Sequence, residues 1–191
     1  MRWWRKTRAI DLLILVSILT ILLLVLPISA LTATPSPGGA TLALAAMTAL
    51  ALPVSLGWAI SRGDAELEHR AARPVASRDL GLVLALVVGV VTIEVVLHEA
   101  GLAYAGIVAA RAAVTYTGMM LVAMPAVGWR NAAIVPAIYL TLVLVVGGGS
   151  DVENPAGWAW IAAMDTDSPA MGAAVATFLI GLIAHLRATQ R

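Results

Sequence analysis

The residues best able to do chemistry in this sequence are Glu94, His98, Glu99 and Arg111, because each interrupts or borders a long apolar run. A charge within such a run is costly in lipid and is kept against a partner, a bundle interior or a water-filled cavity. Glu94 and His98 share one helical face at i,i+4 spacing, while Tyr104, Arg111, Thr115 and Gly118 recur at helical spacing on the run that follows. Counted from a turn at Ala100, Glu94 lies roughly 9 Å deep and Arg111 roughly 16 Å. A long arginine side chain can make up that difference by snorkelling. Two readings stay open. Glu94 and Arg111 form an ion pair that staples a hairpin, or Glu94, His98, Glu99, Arg111, Tyr104 and Thr115 line a polar substrate path.

A glutamate near a histidine also raises the activation of water by an acid–base pair or a metal. The surrounding sequence gives that chemistry little to work with. His98-Glu99 continues as Ala100-Gly101-Leu102 rather than as HExxH, no Gly-x-Ser-x-Gly elbow occurs, and there is no cysteine. The other histidines, His69 and His185, are expected at the opposite membrane face. The chain is therefore expected to have no catalytic residue, no metal site and no enzymatic activity of its own. Lys6 is the only lysine and lies outside any GxxxxGK[ST] phosphate loop, so ATP and Mg are expected only on a partner subunit.

The elements that must position these groups follow from composition. Of 191 residues, 61% are hydrophobic and 12% charged, and the mean hydropathy is +0.93, which excludes an ordinary soluble domain. A net charge of +1 gives no electrostatic footprint for nucleic acid, and no nucleic-acid partner is expected. A spanning helix needs roughly 20 apolar residues, and six such runs occur, at about 10–31, 41–60, 80–97, 102–125, 132–146 and 169–185. The expected fold is all-α, a single transmembrane domain over 1–191. The first run exceeds the roughly 7–15 residues of a signal-peptide apolar region, so it is expected to be an uncleaved span.

Basic residues set the orientation, because short loops rich in arginine and lysine stay cytoplasmic. With both termini inside, Arg2, Arg5, Lys6, Arg8, Arg62, Arg70, Arg73, Arg78, Arg130, Arg187 and Arg191 are all cytoplasmic, and none of the basic residues falls in an external loop. Trp3 and Trp4, among the basic residues before the first span, predict a short amphipathic segment anchored at the headgroups. Trp158 and Trp160, in the external segment 149–168, suit the opposite interface; the alternative is a re-entrant turn or external helix, for which Gly147-Gly148-Gly149 supplies a bend.

The cytoplasmic loop 61–79 alternates Asp64, Glu66 and Glu68 with Arg62, Arg70 and Arg73 before Pro74. It predicts a short helix capped by Asp64, braced by Glu66 and Arg70 at i,i+4, and stopped by the proline. Such a helix is either a solvated connector or a docking knob for a cytoplasmic subunit.

The basic aromatic N-terminus, the charged loop with Arg73-Pro74, Gly128-Trp129-Arg130 with Pro136, and Trp158-Ala159-Trp160 together resemble the permease subunits of ABC transporters of the type-2 exporter class, particularly small actinobacterial ones. The resemblance is architectural and covers nearly the whole chain. It implies a permease that pairs with a second permease subunit, identical or not, and is driven by a separate ABC ATPase subunit. Asp64, Glu66, Glu68, Arg70 and Arg73 would then form the ATPase-coupling loop. The Ala-, Val- and Arg-rich, Lys-poor composition suits a GC-rich bacterial genome, and the resemblance implies a place in the bacterial cytoplasmic membrane. The competing expectations are a non-catalytic assembly or accessory subunit of a membrane complex, and a small proton-coupled carrier.

Overall fold

The structure is a computed structural model, which describes residues 10–25, 37–62, 75–102, 105–147, 157–163 and 168–189. Every regular element among them is helical: α1 Ile10–Val25, α2 Pro37–Ala49, α3 Ala51–Ser61, α4 Val75–Glu99, α5 Gly106–Ala132, α6 Ile134–Leu142 and α7 Ser168–Thr189. A π-helical turn, Val143–Gly147, prolongs α6, and a single 3-10 turn, Trp160–Ala162, precedes α7.

Four stretches are long and apolar enough to cross a membrane, Ala43–Ser61, Ser77–Glu99, Gly106–Ala132 and Ser168–Ala188. They correspond to the second, third, fourth and sixth expected spans. The other two fall short among the described residues. Helix α1 has 16 described residues, about 24 Å of helix against a hydrocarbon core of about 30 Å, and Ile134–Val146 is a shorter apolar helix. Boundaries also move. Helix α4 begins at Val75, inside the stretch expected to be loop up to 79, and α5 begins at Gly106 rather than at 102.

Proline and glycine explain the breaks. Pro53 has no N–H to donate to the carbonyl four residues earlier, at Ala49. The second span accordingly divides into α2 and α3 at Leu50, whose N–H bonds to Met47 at 3.2 Å in the tighter i,i−3 pattern. Gly128 takes φ 76° and ψ 164° within α5, a conformation that a side chain resists, so the helix bends sharply after Val127, between the expected spans 102–125 and 132–146.

Helix α5 is the centre of the bundle, with α2, α3, α4 and α7 packed around it. Ala45 clusters with Ala105 and Ala109, and farther along a side chain at Gly57 would meet the Trp129 carbonyl at 2.6 Å, so α2–α3 and α5 run in the same direction. Helix α7 runs that way too. A Cβ at Gly118 would lie 2.7 Å from the Phe178 backbone, and farther along both helices the Trp129 ring meets that of His185. Helix α4 returns antiparallel to α5 through the turn at Gly101. Asp79, Val83, Val87, Val90 and Glu94 form its buried stripe, at the spacing of one helical face. Val88, Val96, Leu179, Ile180 and Ile183 point outward on α4 and α7. An apolar exterior is what a lipid-facing surface requires.

Candidate functional site

Arg111 stands five residues into α5 and is fully buried. Its guanidinium donates through Nη2 to the backbone carbonyl of Ala163 and, at 3.5 Å, to that of Ile161. Thr115, one turn further along the same face, accepts a hydrogen bond from Trp160 Nε1 at 3.2 Å. From α6 the Tyr139 hydroxyl donates to the Trp158 carbonyl at 2.9 Å, while its ring packs against those of Trp160 and Trp158 at centroid distances of 5.6 and 6.5 Å. Residues 157–163 are thus held against α5 and α6, with Ala159, Ile161 and Ala163 buried.

The depth of this segment gives it meaning. Arg111 and Thr115 lie roughly 8 and 14 Å along the axis from the start of α5, so the 3-10 turn packs inside the bundle beside the first three turns of that helix. Non-helical backbone is tolerated there only if its carbonyls find donors within the protein. Arginine is suited to the task, offering five N–H donors in a fixed fork. Of the two placements considered for the tryptophans, Trp158 remains 42% exposed, as an interfacial ring would be, whereas Trp160 turns inward and spends its N–H on Thr115.

Glu94 sits on the buried stripe of α4. Its side chain is 1% exposed, and neither carboxylate oxygen has a hydrogen-bond partner. No ion pair joins it to Arg111, whose guanidinium is turned to the carbonyls of the re-entrant segment. A side chain at Gly106 would meet the Glu94 carbonyl at 2.6 Å and the His98 Cβ at 3.2 Å, so the α4–α5 hairpin is closed by direct backbone approach rather than by a charge pair. His98 is half-buried and Glu99 exposed. The structure therefore brings Arg111 and Thr115 together, and leaves Glu94 and His98 on α4.

A second polar cluster lies at the other end of the bundle. His185 of α7 is buried, its ring edge-on to Trp129 at 5.3 Å and within electrostatic reach of buried Asp79 on α4. Arg62, at the end of α3, stacks over Trp58 at 4.7 Å. Among the described residues no group of three histidine or acidic side chains converges as metal ligands would. Tyr104, Trp3, Trp4 and the expected coupling residues Asp64, Glu66, Glu68, Arg70 and Arg73 lie outside the described residues.

Several participants were not singled out by sequence reasoning. The carbonyls of Ile161 and Ala163 have no side-chain signal at all. Tyr139, a lone hydroxyl in the apolar run of α6, and Asp79, which falls on the same helical stripe as Glu94, both had one. Compared with known proteins, the chain matches no family model, no curated sequence and no solved structure, so the resemblance to exporter permeases rests on the sequence features alone.

Proposed function

We propose that the chain is the transmembrane permease subunit of an ATP-driven, ABC-type exporter in the bacterial cytoplasmic membrane, forming a substrate path with a second permease subunit. The observation that carries this reading is the re-entrant segment 157–163, held inside the bundle by Arg111 and Thr115 of the central helix. Such a segment closes the outer end of the bundle. Because it is bonded to α5 and α6 through three side chains, movement of either helix bears directly on that closure. The chain has no phosphate-binding loop, so the work comes from a separate ATPase carrying ATP and Mg.

Six spans with both termini cytoplasmic suit this role. Since α3, α5 and α7 run in one direction, the chain has to return between α5 and α7, and α6 with its π-helical turn is the described element available to carry it back.

The test is to purify the full chain in mild detergent from its native host and assay for vanadate-sensitive ATP hydrolysis. A co-purifying ATPase, with hydrolysis uncoupled from transport by reversing the charges of Glu66 and Arg70, is the expected result. Recovery without any nucleotide-binding chain overturns the exporter reading. One observation favours a second reading, a proton-coupled carrier: Glu94 is a buried acid with no hydrogen-bond partner for either oxygen. In that case Glu94→Gln abolishes pH-driven uptake in vesicles holding the chain alone.

A further inference from the structure

We infer that the groove between α5, α6 and α7 holds one acyl chain of an anionic phospholipid, whose phosphate lies over Arg130. The groove is open to the outside, has a volume of about 500 Å³ and is lined by Met119, Val122, Ala123, Ala126, Val127, Val135 and Thr177. Thr177 is the sole hydroxyl among these, and it donates to the Ala173 carbonyl at 2.8 Å within its own helix. The wall therefore presents only hydrocarbon, and a polar solute would lose its hydration for nothing in return.

Size separates the two apolar occupants. A helix with its side chains is about 10–12 Å across, so a space of this volume holds roughly one turn of it. A single flexible hydrocarbon chain fills a space of this volume, whereas a partner helix would lie across its open mouth. The headgroup end is fixed by the fold. Helices α5 and α6 form the two legs lining the groove, and the bend between them carries exposed Arg130 and Asn131, with Asn131 Nδ2 donating to the Val127 carbonyl at 3.4 Å. Arg130 stands three residues past the lining residue Val127 and five before Val135, so a chain lying in the groove has the arginine at its bend end. Basic residues at the cytoplasmic ends of spanning helices attract anionic lipids, each worth about fivefold in affinity. The inference rests on the proposed orientation, which puts the bend at 128–131 on the cytoplasmic side.

The full chain in phosphatidylcholine nanodiscs would receive equal traces of phosphatidylglycerol or phosphatidylcholine bearing a diazirine on one acyl chain, and crosslinked peptides would be mapped by mass spectrometry. The phosphatidylglycerol probe should label the 119–127 and 135 region about fivefold more than the phosphatidylcholine probe. Ala126→Trp, which fills the groove from an exposed position, should remove that labelling while leaving labelling elsewhere unchanged, and Arg130→Gln should bring the two probes level. Equal labelling of the unaltered chain by both probes overturns the inference, as does labelling undiminished by Ala126→Trp or crosslinking of a second copy through the groove. Orientation is read separately. Asn131→Cys, in a chain with no other cysteine, should react with an impermeant maleimide only after cells are opened. Reaction in intact cells overturns the orientation and this inference together, whereas a cytoplasmic thiol at position 131 with equal probe labelling overturns the lipid site and leaves the permease reading standing.

Discussion

Arg111 shows why one residue type, rather than one charge, is required at a given point. Two backbone carbonyls of the segment 157–163 converge on its guanidinium inside the bundle, and a lysine would bring a single compact ammonium without the planar fork. Loss of a hydrogen bond to a charged group costs about 1.5–3 kcal/mol, so Arg111→Leu should free residues 157–163 by a factor of order 10 to 100 in population. In the cysteine-free chain, Ile161→Cys reports this directly. Its maleimide reaction should be slow in the parent, where Ile161 is buried, and accelerate at least tenfold with Arg111→Leu; an unchanged rate would show that something else pins the segment. Thr115 and Trp160 allow a finer test. Thr115→Val keeps the shape but strands the indole N–H in a part-buried site, at a cost of about 1–3 kcal/mol. Adding Trp160→Phe removes the stranded donor, so the double variant should unfold in detergent with a smaller loss than the two single losses combined. Strict additivity would mean that the 3.2 Å bond contributes nothing.

At the scale of elements, close backbone approach does the work that a charge pair would otherwise do. Lipid is as apolar as leucine, so spanning helices associate through packing and interhelical hydrogen bonds rather than by hiding apolar surface. The α5–α7 crossing follows this rule at Gly118, which admits the Phe178 backbone, and at Gly181, which admits that of Gly118, with no room for a Cβ at either. Gly118→Val must push Phe178 and its helix away, which overpacking precedents put at about 1–3 kcal/mol. Gly172→Ala on the same α7 helix meets nothing within 4 Å and should stay within about 0.5 kcal/mol of the parent. Thermal unfolding of both variants in one detergent checks the contrast, and equal effects would place the stabilising contact elsewhere. The buried stripe of α4 is legible in the sequence, because Asp79, Val83, Val87, Val90 and Glu94 repeat at helical spacing. The glycine crossing is not. Spacing on one helix says which face is special but not which neighbour lies against it, and periodicity alone groups Gly118 with the polar residues Arg111 and Thr115.

For the molecule as a whole, the sequence is legible where lipid dictates the answer. A spanning segment must satisfy its backbone hydrogen bonds internally, so a long apolar run means a helix, and the runs at 41–60, 80–97 and 169–185 lie within or nearly within observed helices. Legibility fails where two environments demand the same residues. Trp158-Ala159-Trp160 suits a headgroup interface and a re-entrant turn equally well, and only the presence of Thr115, Tyr139 and Arg111 nearby separates the two. Length fails in the same manner for α6, since an apolar helix of 13 residues, Ile134–Val146, reads alike as a core helix and as a tilted or incomplete span. The shared direction of α3, α5 and α7 requires some segment between α5 and α7 to cross back, and α6 is the described element to test for that role. The absence of cysteine makes the consequence measurable with single substitutions at exposed sites. Leu102→Cys and Trp158→Cys should react with an impermeant maleimide in intact cells, while Arg62→Cys and Arg130→Cys should react only after permeabilisation. Positions 130 and 158 bracket α6 and decide the matter: opposite sides make it a true crossing, whereas labelling of both from one side would mean that α6 folds back within a leaflet and that the chain has lost the parity on which its orientation depends.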